Sequence, residues 1–118
     1  MANTIGTPTI VVNGNPMQFR ALADRVWTVK ATISNQDAVA IGDTARFSLT
    51  VPGVALGDMV VGISVDEDLS DGTDQAILSG MVTAANTVVV QVAADAGEFA
   101  ASTLNNKVVK MLIIRPNF

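Results

Sequence analysis

The sequence predicts an all-β fold, a single-domain antiparallel β-sandwich, Ig-like or jelly-roll-like, of about six to eight strands. Three observations predict it: short apolar runs with a two-residue period, turn residues about every eight to twelve positions, and no helical apolar stripe long enough to build a layer. Over residues 44–51, Ala45, Phe47, Leu49 and Val51 alternate with Thr44, Arg46, Ser48 and Thr50. Successive strand side chains point to opposite faces, so this segment has one apolar face and one wet face.

The chain divides into an extended N-terminal arm, 1–22, and a sandwich domain, 23–118. Asn3, Gly6, Pro8, Asn13, Gly14, Asn15 and Pro16 punctuate the arm and leave one β-like run, 9–12. The apolar Ile5, Ile10, Val11, Val12, Met17 and Phe19 fit an arm that orders on a neighbouring subunit or partner; the competing reading is a frayed terminus with one edge strand. Deletion of residues 1–20 is therefore expected to leave a cooperative fold.

The body opens at 26–33, with Trp27, Val29, Ala31 and Ile33 on one face and Thr28, Lys30 and Thr32 on the other. A polar connection, 34–43, leads to the strand at 44–51. Pro52-Gly53 closes that strand, since proline presets the first corner and glycine tolerates positive φ at the second. Over 59–65, Met59, Val61, Ile63 and Val65 are expected on one face and Val60, Gly62 and Ser64 on the other. An acidic loop, 66–74, follows.

Residues 76–83 form a strand with apolar groups on both faces, in which Gly80 marks a bulge or a close neighbour. Ala84-Ala85-Asn86 turns the chain into a partner strand, 87–92, because asparagine accepts the left-handed backbone of a tight connection. The Ala-rich stretch 93–106 has room for a helical turn at 98–104. The strand 107–115 carries Val108, Val109, Met111, Leu112, Ile113 and Ile114 on both faces, so its outer face is expected to meet the arm or another subunit.

Composition narrows the chemistry. With 118 residues, 49% of them apolar and 15% charged, the chain fits one core and lacks the composition of a disordered segment. The net charge of −4 and seven scattered basic residues argue against nucleic acid as a partner. No uninterrupted apolar segment approaches the ~20 residues that cross a bilayer, so no membrane partner is expected. Arg20, Arg25 and Lys30 near the arm and Lys107, Lys110 and Arg115 near the end read as solvated groups able to pair with an acidic partner surface.

With no histidine and no cysteine, a histidine-activated nucleophile is unavailable, and neither a Gly-x-Ser-x-Gly segment nor a phosphate-cradling loop occurs. The chain is read as a non-enzyme without a cofactor. The one dense ionisable cluster is Asp66, Glu67, Asp68, Asp71 and Asp74, from which Asp66, Asp68 and Asp71 are the candidate calcium ligands. The match to a calcium loop is poor: glycine stands seventh rather than sixth, and Ile77 takes the place of the twelfth-position glutamate. The competing reading is a solvated loop. Trp27, the single tryptophan in a chain without tyrosine, is read as core.

The segments Thr44-Ala45-Arg46-Phe47-Ser48-Leu49-Thr50-Val51-Pro52-Gly53-Val54-Ala55-Leu56-Gly57-Asp58-Met59-Val60-Val61 and Gly80-Met81-Val82-Thr83-Ala84-Ala85-Asn86-Thr87-Val88-Val89-Val90 resemble the small β-sandwich capsid decoration, or cement, proteins of tailed bacteriophages. The likeness covers about residues 26–115. It implies a virion protein on the capsid surface, made in the host cytoplasm, whose partners are the major capsid protein and itself as a homotrimer. Ile5, Ile10, Val12, Met17, Phe19, Met111 and Ile113 are then the candidate capsid or subunit contacts. A head-fibre base or tail component is the alternative within that class. A carbohydrate-binding or adhesion module acting through the loop at 66–74 is the alternative outside it.

Overall fold

A computed structural model describes residues 3–13, 22–69, 75–96 and 100–118. Eight strands run in chain order: β1 Thr4–Ile5, β2 Thr9–Asn13, β3 Ala23–Asn35, β4 Thr44–Thr50, β5 Met59–Val65, β6 Gln75–Ala84, β7 Thr87–Ala96 and β8 Val108–Pro116. They form two antiparallel sheets, and the all-β sandwich expected from the alternation is the fold. The larger sheet runs β1-β3-β8-β5, with β2 also on β3, and the smaller runs β4-β7-β6. The described part of 93–106 continues β7 and then forms turns at 101–106 rather than a helix, with Ser102 at φ 67° and Asn106 at φ 64°.

The core lies between the sheets. Trp27, Val29, Ala31 and Ile33 of β3, with Val109, Met111 and Ile113 of β8, face Ala45, Phe47 and Leu49 of β4 and Val88, Val90 and Val92 of β7. Gly80 of β6 sits where side chains of the opposite layer approach its backbone closely. A Cβ there would lie 3.2 Å from Ile63 Cδ1 and 3.3 Å from Met111 Sδ. The glycine thus marks a close neighbour, as its place within an apolar run suggests.

Two expectations need correction. The alternation in β5 breaks: Val60 pairs with Ile113 and Gly62 with Leu112, so Val61 is an extra residue in the ladder. A bulge of this kind reverses which side chains face inward beyond it. Val60, Ile63 and Val65 pack on the core while Met59 and Val61 are exposed.

The division at residue 22 also fails for the described part of the arm. β2 pairs residue by residue with β3 from Thr9↔Lys30 to Asn13↔Val26, β1 pairs with the far end of β3, and the Gly6 N–H donates to Thr32 O at 2.7 Å. Ile5 and Ile10 pack against the core. Residues 3–13 are edge strands of the sandwich, and deleting 1–20 would strip a sheet edge rather than a separable arm.

β8 is an interior strand, hydrogen-bonded to β3 on one side and β5 on the other. On its outer face Ile114 is buried with Ala23 and Val26, and Leu112 packs beside them.

Candidate functional site

The two segments that carry the sequence resemblance meet at one end of the sandwich. Gly53 adopts φ 94°, Gly57 φ 100° and Asn86 φ 61°, so each turn has the residue its backbone requires. Asn86 ties the turns together: its Oδ1 accepts the Gly53 N–H at 2.8 Å, its own N–H donates to Val54 O at 2.8 Å, and its O accepts the Val51 N–H at 3.0 Å.

Beside them Arg115 grips Asp58 with two bonds, Nε to Oδ1 at 3.0 Å and Nη2 to Oδ2 at 2.9 Å, and Nη2 also donates to Gly53 O at 2.8 Å. Oδ2 of Asp58 accepts the Ala55 N–H as well, at 2.9 Å. The Asp58 side chain is 4% exposed and that of Arg115 is 34% exposed, so the pair is half desolvated. Hydrogen bonding to Asp58, opposed by burial, raises the Arg115 guanidinium above its ordinary pKa. Trp27 lies under this group. Its Nε1–H donates to Pro52 O at 3.2 Å, and Arg115 and Arg25 sit 5.3 and 5.8 Å from its ring centroid. The tryptophan is core, as its strand position suggests, and these ionisable side chains hold turns in place.

The opposite end is closed by Gln36, a polar side chain only 1% exposed. Its Oε1 accepts the Leu104 N–H at 3.2 Å, its Nε2 donates to Asp37 O, and its backbone O accepts the Ser102 N–H at 2.9 Å. Asn105 Oδ1 accepts the Gln36 N–H at 3.0 Å, and Asn3 Oδ1 accepts the Asp37 N–H at 2.7 Å. The connection between β7 and β8 is thereby latched to the end of β3. Every buried side-chain nitrogen and oxygen among the described residues is paired.

The acidic loop begins at this end. Asp66 Oδ1 accepts the Val108 N–H at 2.7 Å, and Glu67 pairs with Lys107 at 3.1 Å, so both acids fasten the start of β8. Asp68 is exposed, whereas Asp71 and Asp74 lie outside the described residues. Among the described residues no three metal-ligating side chains converge.

The sites expected from sequence scatter. Val12 is half exposed on edge strand β2, Ile5 and Ile10 are satellites of the core, and Met17 and Phe19 lie outside the described residues. Met111 is 4% exposed and Ile113 is fully buried. Both point between the sheets, so a partner cannot touch them without opening the sandwich, and they are withdrawn as contact residues. β8 is apolar on both sides because it is interior to its sheet and part of its outer face is also covered.

Besides Val12 and the exposed Leu22, Ile41, Leu56 and Phe118, apolar side chains are exposed on the outer sheet faces. On the outer face of the small sheet Ile77 is 57% and Met81 53% exposed, Met81 directly opposite Val89 and Ile77 opposite Ala93 of β7. On the large sheet Val11, Met59 and Val61 are exposed. Their signal in the sequence was an apolar residue at a wet position of an alternating strand, obscured in β5 by the bulge. The geometry defines a β-sandwich whose charged side chains brace its ends and whose two outer sheet faces both carry exposed apolar groups. No protein-family model, curated protein or solved structure matches the chain.

Proposed function

We propose that the protein is a structural virion component, a capsid decoration or cement protein that sits on the outer surface of a phage head and bridges neighbouring major capsid subunits. The observation that carries this reading is the placement of exposed apolar residues on opposite faces of one rigid sandwich, Ile77 and Met81 on one and Val11, Met59 and Val61 on the other. A bridging protein needs two contact surfaces, whereas a module that captures one ligand needs only one. Apolar groups that stay exposed on a folded domain are candidates for burial against partners. The strand and turn segments 44–61 and 80–90 supply the family resemblance, and their role here is to brace one end of the scaffold.

The test is reconstitution. Purified protein is added to capsid shells that lack it, and the shells are imaged and melted. Occupancy at regular lattice positions with a raised shell melting temperature is expected, and Ile77→Lys with Met81→Lys should lower that occupancy without unfolding the protein. Shells that remain bare with the unmodified protein refute the proposal.

A further inference from the structure

On the outer face of the large sheet, β2, β3, β8 and β5 line an open groove of about 690 Å³. Two adjacent cross-strand rows line this groove. In the first, Val11, Thr28, Leu112 and Gly62 are register partners, and in the second Thr9, Lys30, Lys110 and Ser64 are. One row is apolar or small and the other is cationic.

Lysine directly opposite lysine is an unfavourable pair on a sheet. Among the described residues neither lysine makes an ion pair, although Arg115 and Lys107 each have one. Asp66 borders a notch next to both lysines, but its Oδ1 is engaged by the Val108 N–H. Among the described residues no carboxylate forms an ion pair with this cationic row, Asp66 being the acid beside it. Gly62 adds an independent observation: its φ is not positive and a Cβ there would meet nothing within 4 Å. The fold does not require this glycine, and a larger side chain would fill the groove.

We propose that this groove binds an extended, acidic segment of a partner protein, with apolar side chains against Val11, Leu112 and Gly62 and a carboxylate reaching Lys30 and Lys110. Four strands at ~4.8 Å spacing give a width for about four extended residues. Charge-assisted bonds from both ammonium groups would orient the segment, and the apolar row would bury its neighbouring side chains. The inference rests on the proposed partner-binding role, though not on that partner being a capsid.

The test uses isotope-labelled protein titrated with acetyl-Leu-Leu-Asp-Glu-amide and with its neutral counterpart, acetyl-Leu-Leu-Asn-Gln-amide, followed by amide NMR shifts. Saturable shifts at Val11, Gly62, Lys110 and Leu112 are expected with the acidic peptide, weakened by about tenfold or more with the neutral peptide or in the Lys30→Glu, Lys110→Glu variant. Gly62→Val should keep the melting temperature and lose the binding. Equal binding of both peptides, shifts mapping elsewhere, no binding up to about 10 mM, or full binding by Gly62→Val overturns the assignment. If the peptide binds but capsid shells do not, the groove stands and the capsid reading falls. Shell binding without peptide binding has the reverse meaning.

Discussion

Removing the Asp58 and Arg115 side chains singly and together measures how strongly the end of the sandwich is braced. An exposed ion pair contributes about 0.2–1 kcal/mol, whereas breaking a fully buried pair costs about 3–5 kcal/mol. This pair lies between those limits: Asp58 is 4% exposed, Arg115 is 34% exposed, and the contact is bidentate. Asp58→Ala is expected to cost about 2–3 kcal/mol, because it strands both the guanidinium and the Ala55 N–H. Arg115→Met, which keeps an apolar stem over Trp27, should cost about 2 kcal/mol, and the double variant about 3 kcal/mol, a coupling of roughly 1.5 kcal/mol. Urea unfolding followed by the fluorescence of Trp27 reports all three. Additive single costs, or a coupling below about 0.5 kcal/mol, would refute the claim that this pair is desolvated enough to matter.

Gly80→Val should destabilise by about 2–3 kcal/mol through overpacking against Ile63 and Met111, visible as a lower thermal midpoint, while Gly62→Val leaves the midpoint nearly unchanged. Gln36→Ala should cost about 2–4 kcal/mol, since it leaves the Leu104 N–H and Asp37 O without their partner and opens a cavity; retained full stability would show the latch to be dispensable. Lys110→Thr should stabilise the free protein by about 0.5 kcal/mol in urea by relieving its opposition to Lys30, and a loss of stability would argue against the repulsion.

Seven of the strands were legible in the sequence: β3 and β4 by a clean two-residue period, as in Ala45, Phe47 and Leu49, β5 by one that its bulge interrupts, and β2, β6, β7 and β8 as short apolar runs bounded by turn residues. Gly53 and Asn86 were legible for a related reason, since positive φ is a local demand that residue type answers. What the pattern did not reveal depends on partners distant in the chain. Gly62 beside Val61 hints at the bulge, but only the register of β5 against β8 defines it. Met111 and Ile113 looked available because a strand apolar on both faces reads alike whether it is interior to a covered sheet or docked on a neighbour. The lysines at 30 and 110 become a pair only through the β3 and β8 register. β1, two residues long, is too short to show any period.

The interior position of β8 has a kinetic consequence. Its neighbour β3 lies far back in the sequence, so the pairing of Trp27 with Ile113 closes a loop that contains the whole of the smaller sheet. The β6-β7 hairpin forms locally, whereas β3 must wait for β8. Folding dominated by such distant pairing is slow, on the order of milliseconds to seconds. In that interval the unpaired edge of β3 and the unshielded Trp27 are open to other chains, so this topology carries a risk of association before β8 docks.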